Sequence, residues 1–298
     1  MIWKEILAPA MEHPKMIELK KFLKNEREKG KNIYPPAKDI FRAFNLTPFD
    51  RVRVVILGQD PYHQNGVADG LCFSSRGRKT PASLRVIFKE IFKDLNIQYF
   101  HEQNYEEFFP TNSLENWTKQ GFLLINTILT VEEGKPGSHK DLGWEVLIQS
   151  VLDGLNKREE PAIFLLWGRY AQSYRERISK QHIVLPAPHP AAELQGNHTE
   201  TFSGCGHFSA VRDIIPTLTG QNLFEVANLD YCFDKEKAKR IIKDNYPQIA
   251  DDVCKYIDND LIINIPVNKA EYWNYIRNFE QSLSTKPIKN EETEDSEN

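Results

Sequence analysis

The chain contains 298 residues, of which 40% are hydrophobic, 11% aromatic and 27% charged. This composition is typical of a globular protein with one large domain or two modest ones. No segment approaches the roughly 18 consecutive apolar residues that a transmembrane helix needs, and the N-terminus lacks a basic region followed by an apolar run. We therefore expect neither a membrane protein nor a secreted one.

The net charge of −4, taken over the whole chain, argues against a nucleic-acid-binding protein, because phosphate neutralisation needs Lys and Arg. The charge is unevenly distributed, however. Residues 221–298 contain 10 Lys and Arg against 16 Asp and Glu, a net of −6, which leaves 28 against 26, a net of +2, for residues 1–220. The excess acid therefore lies in the last quarter of the chain.

Five short apolar runs predict buried strands: Val52–Leu57, Leu71–Phe73, Leu123–Leu129, Ala162–Trp167 and His182–Leu185. Between them lie helix-like segments at 141–157 and from Gly168, and a stripe with helical spacing formed by Leu84, Ile87, Phe88, Ile91 and Leu95. Buried strands that alternate with helices indicate an α/β fold. We expect a three-layer α/β/α sandwich with a short, mainly parallel central sheet.

Ligands of such sheets bind beyond the carboxyl ends of the strands. Polar residues occur at three of these positions. The sequence Gly-Gln-Asp-Pro-Tyr-His at 58–63 follows the first strand, Asn126 lies within the third run, and His189 lies between two prolines after the fifth. The sequence therefore predicts that these three segments converge on one cleft.

Each polar side chain in these segments has a chemical and a structural interpretation. Asp60 is placed to act as a general base or to orient a water, or else forms an Asx turn with its own backbone. His189 is either a rigidly held functional group or a surface-loop histidine. Asn126 must find partners or lose roughly 1–3 kcal/mol; its amide matches the imide edge of uracil or thymine, or else bonds to neighbouring strand backbone. Phe73, taken alone, is a core aromatic residue.

The four cysteines are Cys72, Cys205, Cys232 and Cys254, and no pair has Cys-x-x-Cys spacing. No two histidines lie three to five residues apart, so we do not expect a structural zinc site. An iron–sulfur cluster is disfavoured because two cysteines lie in the acidic C-terminal part and Cys72 lies in an apolar run. We expect reduced, buried thiols in a cytoplasmic protein.

The sequence strongly resembles the family-1 uracil-DNA glycosylases, whose water-activating loop is identical to residues 58–63. Other matching segments follow in the family's order: Tyr34-Pro35-Pro36, Gly70-Leu71-Cys72-Phe73-Ser74, Thr80-Pro81-Ala82-Ser83-Leu84, Leu124-Ile125-Asn126, Leu129-Thr130-Val131, Ser138-His139-Lys140, Leu165-Leu166-Trp167-Gly168, Tyr170-Ala171-Gln172, His189-Pro190 and Gly204-Cys205-Gly206-His207-Phe208-Ser209. The resemblance extends from about Trp3 to about residue 220, roughly three-quarters of the chain.

This resemblance implies a monofunctional DNA N-glycosylase, a hydrolase acting on N-glycosyl bonds. Such an enzyme flips deoxyuridine out of single- or double-stranded DNA, releases uracil and leaves an abasic site that starts base excision repair. It implies no metal or redox cofactor. The expected partners are uracil-containing DNA and either a glycosylase inhibitor protein or a repair or replication protein, and the expected state is a monomer.

The resemblance also implies a role for each residue of the base pocket. Asp60 would position and activate the attacking water. His189 would hydrogen-bond the uracil oxygen on which negative charge develops. Gln59 would supply a backbone contact to the base, Asn126 would read the imide edge, and Phe73 would stack on the ring.

Specificity and DNA binding would depend on further residues that match the family. Tyr62 would fill the space beside C5 and exclude the methyl group of thymine, because attraction alone separates one methyl by only about 1–3 kcal/mol. Small and proline-rich loops would pinch the DNA backbone. The candidates for backbone contact are His63, Pro81, Ser83, Gly168, Arg169, Pro190 and Ala191.

The sequence departs from the common family pattern after Pro190. The usual Ser-Pro-Leu-Ser is replaced by Ala-Ala-Glu-Leu at 191–194, and the segment up to Gly204 is about three residues longer. Leu194 is the candidate DNA wedge, with Glu193 expected to face the phosphate backbone unfavourably. Arg169 stands where many relatives have Ser, and is either a phosphate contact or a solvated helix residue.

We expect three regions: a catalytic domain at 1–220, a helical C-terminal extension at 221–283 and an acidic disordered tail at 284–298. The extension would pack on the core or on itself as an accessory domain, or would dock a partner. The alternative function is a DNA-binding or scaffold protein on the same fold with reduced activity. A glycosylase with altered base choice is a third hypothesis. The joint presence of the matched pocket residues argues against both.

Overall fold

The computed structural model describes residues 2–94, 111–195, 201–219 and Lys243. In chain order the elements are α1 (Trp3–Met11), α2 (Pro14–Glu28), β1 (Ile33–Tyr34), α3 (Arg42–Leu46), β2 (Val54–Gly58), α4 (Ala82–Asp94), α5 (Glu115–Lys119), β3 (Phe122–Asn126), β4 (Val131–Glu132), α6 (Trp144–Asn156), β5 (Ile163–Trp167), α7 (Arg169–Gln172), β6 (Ile183–Ala187) and α8 (His207–Thr219).

The central sheet has the strand order β3-β2-β5-β6, and every neighbouring pair is parallel. All residues of β2, β3 and β5 are buried. This explains their continuous apolar sequences, because helices cover both faces of such a sheet. β6 is partly exposed and contains Pro186, which is tolerated at an edge position. The predicted α/β architecture with a mainly parallel central sheet is confirmed.

Helices α4 and α6 lie where the apolar spacing predicts them, and α7 begins just after Gly168 as expected. The sequence did not predict α1 and α2. α1 packs against α6, and its Trp3 indole donates a 2.7 Å hydrogen bond to the Thr47 carbonyl. The N-terminal segment is therefore part of the folded core.

The prediction of a strand at Leu71–Phe73 is wrong, because this segment forms a turn. Asp69 is fully buried, and its carboxylate accepts bonds from the Leu71 N–H (3.1 Å) and the Ser74 hydroxyl (2.6 Å). Phe73 has a φ of 61°, in the left-handed region that strands do not use. A single bond from the Cys72 N–H to the Leu124 carbonyl attaches the turn to β3.

The third predicted strand is shorter than expected. β3 ends at Asn126, and the Thr127 and Ile128 N–H groups donate to the carbonyls of Gly58 and Gln59, each at 2.9 Å. The chain therefore leaves the sheet and runs beside the loop that follows β2. Beyond it, β4 pairs with β1 in a two-stranded antiparallel sheet that the sequence did not predict.

The predicted C-terminal regions, 221–283 and 284–298, lie outside the described residues except for Lys243, so the three-part division stays a prediction. Cys72 is buried and Cys205 half-buried, both with free thiols, whereas Cys232 and Cys254 also lie outside the described ranges. Across the described parts of the chain, we find no helix with the length and apolarity needed to cross a membrane.

Candidate active site

The carboxyl ends of β2 and β3 open into a cavity of about 250 Å³. Residues 58–64 form one side, and the remaining walls include Phe73, Ser83, Asn126, Pro136 and His189. The three polar segments that the sequence predicted to converge therefore meet at this edge of the sheet.

Gly58 and Asn126 are register neighbours at the ends of β2 and β3. A Cβ atom on Gly58 would lie 2.1 Å from Asn126 Oδ1 and 2.7 Å from Cys72 Cβ. Only glycine lets the Asn126 amide occupy this position, where the side chain is 7% exposed and lines the cavity. The missing side chain at Gly58 therefore leaves the space that the Asn126 amide occupies.

Cys72 lies beside Gly58, adjacent to this wall. It is fully buried, its thiol donates a 3.3 Å hydrogen bond to the Ile56 carbonyl, and burial raises its pKa far above the usual range. The thiol therefore stays protonated and acts as a small apolar group.

Asp60 is oriented by a distant part of the chain. Its Oδ2 accepts a 2.7 Å bond from the Gly137 N–H. The segment that carries Gly137 is held in turn, because the Gly134 N–H donates to the His63 carbonyl and Ser138 Oγ accepts from the Glu132 N–H. This long-range bond contrasts with the local Asx turn considered from the sequence, and it fixes a carboxylate at the cavity wall.

His189 follows β6 and is held in one tautomer. Its Nδ1 accepts a 3.1 Å bond from the Ala191 N–H. A backbone N–H can only donate, so Nδ1 carries no proton and the neutral ring carries its proton on Nε2. Burial lowers the pKa of His189 and favours this neutral form. Gly168 leaves room for the ring, since a Cβ there would lie 2.8 Å from His189 Cβ.

Phe73 lies between two other rings, with its centroid 5.3 Å from that of Trp167 and 5.7 Å from that of His189. The Tyr62 hydroxyl donates a 3.2 Å bond to the Phe73 carbonyl. Burial raises the pKa of Tyr62, so its phenol remains a neutral donor. Phe73 is half-buried at the cavity wall rather than enclosed in the core, as a purely structural interpretation would require.

Sequence reasoning did not identify Asp69, although this residue shapes the turn that presents Phe73. Its carboxylate also lies 3.2 Å from Arg42 Nη1, and burial is the main cause that raises its pKa. The available signal was an acidic residue inside the otherwise apolar segment Val-Ala-Asp-Gly-Leu-Cys-Phe at 67–73. Buried charges of this kind are normally paired, as this one is.

The structure brings eight predicted site residues together around the cavity: Gln59, Asp60, Tyr62, His63, Phe73, Ser83, Asn126 and His189. His63 Nδ1 is buried without a hydrogen-bond partner among the described atoms. The other predicted residues do not line the cavity. Pro81 and Ala191 are half-buried, Gly168 and Pro190 are buried, and Arg169 is exposed.

A turn of 3-10 helix, Pro190–Gln195, carries Leu194, which is 56% exposed. The neighbouring Glu193 differs from expectation. Instead of facing outward toward a phosphate backbone, its carboxylate accepts bonds from the Ser203 N–H and, at 3.0 Å, from the Ser203 hydroxyl.

Within residues 2–94, 111–195 and 201–219, no group of three or more His, Cys, Asp and Glu side chains is arranged to hold a metal ion. The described walls of the cavity offer the Asp60 carboxylate, the Asn126 carboxamide, the neutral His189 imidazole and two aromatic rings.

Comparisons with known proteins agree with this geometry. The family model of the uracil DNA glycosylase superfamily matches residues 44–212. A uracil-DNA glycosylase of Sinorhizobium medicae is 45% identical over 209 residues, which cover 70% of this chain and 82% of the relative. One from Coxiella burnetii is 44% identical over 216 residues, or 72% of this chain and 90% of the relative.

Solved structures show the same fold. The crystal structure of mimivirus uracil-DNA glycosylase has a TM-score of 0.64 at 23% identity and covers 74% of this chain and 84% of its own. A variant of the mimivirus UNG in complex with UGI has a TM-score of 0.64 at 24% identity, covering 72% and 84%. With a family match over more than half its length and relatives at about 45% identity, the chain belongs to the uracil-DNA glycosylase superfamily.

Proposed function

We propose that the protein is a uracil-DNA glycosylase. It flips deoxyuridine out of DNA, hydrolyses the N-glycosidic bond, releases uracil and leaves an abasic site for base excision repair. The observation that carries this proposal is the single cavity in which Asp60, Asn126 and His189 meet at the carboxyl edge of the sheet. A monofunctional hydrolase needs only water as its second substrate.

Asp60 acts on the water. As the bond between the sugar C1′ and uracil N1 breaks, its electron pair leaves with the base, and the water oxygen bonds to C1′. The carboxylate orients this water and accepts its proton, a role worth roughly 10² to 10⁴ in rate. The bond from the Gly137 N–H holds one carboxylate oxygen and thereby fixes the direction of the other.

His189 stabilises the leaving base. In the tautomer that the Ala191 N–H selects, Nε2–H is the donor that faces the developing negative charge on a uracil oxygen. The neutral ring donates this bond without first having to acquire a proton. A pre-placed donor of this kind is worth roughly 10² to 10³ in rate.

Four residues select the base. Asn126 pairs both halves of its amide with the uracil imide edge, Phe73 stacks on the ring, and Gln59 contributes a backbone contact. Tyr62 fills the space beside C5, and its bond to the Phe73 carbonyl supports this position. The fixed phenol ring would therefore meet the methyl group of thymine.

The target base must leave the stack before it reaches this cavity, at a cost of a few kcal/mol. We assign backbone contacts to residues around the cavity mouth and beyond it: His63, Pro81, Ser83, Gly168, Arg169, Pro190 and Ala191. The unpaired, buried Nδ1 of His63 favours a polar contact there, through a water or a phosphate oxygen. Leu194 is the proposed wedge.

The proposal is tested with a uracil-containing single-stranded oligonucleotide incubated with the protein in chelator, followed by alkaline cleavage of abasic sites. We expect strand breaks at the uracil position and none in a thymine control. Binding without cleavage would contradict the proposal and would favour the DNA-binding or scaffold alternative on the same fold.

The remaining expectations about partners and location stay predictions. We expect a glycosylase inhibitor protein or a repair or replication protein to bind this protein, as UGI binds a variant of the mimivirus UNG. We also expect a monomer located in the cytoplasm.

A further inference from the structure

Leu194 is an exposed apolar side chain that lies shortly after the cavity-lining His189 in the chain. Three other large apolar side chains are strongly exposed in the described ranges, namely Ile2, Met11 and Ile17, and all of them lie within the first 17 residues. Leu194 instead lies five positions after His189, on the short turn Pro190–Gln195. Leu194 is therefore an exposed apolar side chain on the segment that directly follows the cavity-lining His189.

The turn is fixed at its beginning by His189. The Ala191 N–H donates to the His189 ring at 3.1 Å, and the Ala192 N–H donates to the His189 carbonyl at 2.8 Å. The start of the turn is therefore hydrogen-bonded to His189, the proposed donor to the leaving base.

The far side of the turn is held by Glu193. Its two carboxylate oxygens accept the Ser203 N–H and the Ser203 hydroxyl. Ser203 is itself part of an anchored loop, because Glu90 of α4 accepts bonds from the N–H groups of Gly204 (2.7 Å) and Gly206 (3.3 Å). Glu193 thus ties the turn to a loop rooted on a helix of the core.

These bonds also explain how a carboxylate is tolerated at a DNA-binding edge. A free anion beside Leu194 would repel phosphates. Here both oxygens accept hydrogen bonds from Ser203, so the carboxylate is solvated by two protein donors and its oxygens point toward Ser203.

We propose that Glu193 is a positioning residue: through Ser203 it holds Leu194 in place to fill the space that a flipped base leaves in duplex DNA. Apolar side chains that enter a base stack offset part of the unstacking cost. A turn that is ordered before binding avoids the entropy cost of ordering it on the DNA. This inference rests on the proposed function, and it predicts a role on duplex substrates alone, since a single strand has no partner stack to fill.

The experiment compares single-turnover uracil release from single-stranded and duplex oligonucleotides of the same sequence. For Glu193→Ala and for Leu194→Ala we expect the duplex rate to fall about tenfold while the single-strand rate stays within about twofold. Ser203→Ala removes only the hydroxyl donor and keeps the backbone N–H, so we expect a smaller fall of about threefold. Glu159→Ala, at an exposed position remote in sequence from the turn, is the matched control and should change neither rate.

The double variant Glu193→Ala/Leu194→Ala distinguishes positioning of Leu194 by Glu193 from support of His189 or of the fold. If Glu193 acts through Leu194, the double variant is no slower on duplex DNA than Leu194→Ala alone. Multiplying effects, or an equal loss on both substrates, would overturn the inference, because they would show that Glu193 supports His189 or the fold. If Glu193→Ala does not fold, Ser203→Ala gives the same comparison.

A wild-type protein without activity on single strands would contradict the proposed function itself. A wild-type protein that is active, with an unchanged duplex-to-single-strand ratio in Glu193→Ala, would overturn only the role of Glu193.

Discussion

Asp60 takes its orientation from a backbone N–H group 77 residues further along the chain. Hydrogen bonds to charged groups are shorter and stronger than those between neutral groups, and a backbone donor cannot rotate away. The carboxylate thus keeps one direction while the substrate changes. Other pocket residues are also positioned by their neighbours. Gly58 leaves room for the Asn126 amide. The Tyr62 hydroxyl donates to the Phe73 carbonyl, and the Ala191 N–H donates to the His189 ring.

Replacing Asp60 with Asn should lower the single-turnover rate of uracil release by roughly 10² to 10⁴ and leave DNA binding nearly unchanged. The Asn carbonyl oxygen can still accept the Gly137 N–H, but the amide then offers a donor to the water in place of a base. Asp153→Asn, on exposed α6 surface, is the control. Equal losses in rate and in affinity would contradict the assigned role.

Tyr62→Ala should make the protein release thymine from ordinary DNA at a measurable rate, because it removes the ring proposed to meet the C5 methyl group. Tyr62→Phe keeps the ring and loses only the bond to the Phe73 carbonyl, so it should still reject thymine. The measurement is base release from thymine- and uracil-containing oligonucleotides. Strict rejection of thymine by Tyr62→Ala would mean that another group excludes the C5 methyl group of thymine.

At the scale of elements, the site depends on where β2 and β3 stop. Both strands end at the same register level, with Gly58 opposite Asn126. Beyond this point the chain after β3 bonds to the backbone of the loop after β2. The strand ends therefore set the positions of the Asn126 amide and of the Asp60 loop together.

Gly58→Ala should impair catalysis by displacing Asn126, since the new Cβ would lie 2.1 Å from its Oδ1. We expect kcat/KM on uracil DNA to fall at least about tenfold, with a stability loss of about 1–3 kcal/mol from overpacking. Gly154→Ala in α6 is the matched control, because its Cβ would lie 2.7 Å from Ile6 Cγ2, far along the chain from the cavity residues. It should lose stability and keep activity. Similar activity losses in both variants would argue against the role of Gly58.

The elements that the sequence predicted well are those with a continuous pattern. Buried parallel strands need unbroken apolar runs, so β2, β3 and β5 were recognisable. The two-residue strands β1 and β4 carry no period, and they pair across about a hundred residues. The three apolar residues Leu71–Phe73 resemble a strand in sequence, and they carry no sign of the left-handed φ angle of Phe73.

The same distinction applies to the site. Residues 58–63, Asn126 and His189 were found because polar groups at strand ends stand out against apolar runs. The bonds that orient them could not be read from the sequence. Gly137 has no side chain to reveal its contact with Asp60, and Glu193 finds Ser203 only because two loops are brought together by α4 and the turn after β6.

For the whole molecule, the expected pH dependence of stability rests on four histidines of the described ranges whose pKa is lowered: His139, His182, His189 and His207. Burial is the largest cause that lowers the pKa of each below its ordinary value of 6.5. Below that pH the unfolded chain binds protons that the native state does not, so protonation favours unfolding.

We therefore expect the free energy of unfolding to be steady above about pH 7 and to fall as the pH decreases through about 6.5 toward 6. Urea unfolding at a series of pH values measures this directly. Because the cause is burial, high salt should not abolish the slope. A stability that rises or stays flat between pH 7.5 and 6 would contradict the sign of these shifts.

The charge of the whole molecule is a poor guide to its site. Net charge is −4 overall, but residues 1–220 carry +2 and the remainder −6. Even +2 is low for a protein that binds through many phosphates. Recognition in the proposed reaction would therefore depend on a few placed loop contacts and on the flipped base rather than on a broad basic surface.

The buried thiol of Cys72, beside the cavity-lining Gly58, can report on local opening of the structure. The thiol is enclosed beside Gly58 and is kept protonated by burial, and only the thiolate reacts readily with alkylating reagents. Covalent labelling of this sulfur thus requires the packing around Cys72 to open first. The rate of labelling at Cys72 would therefore report how often the packing beside Gly58 and Asn126 opens.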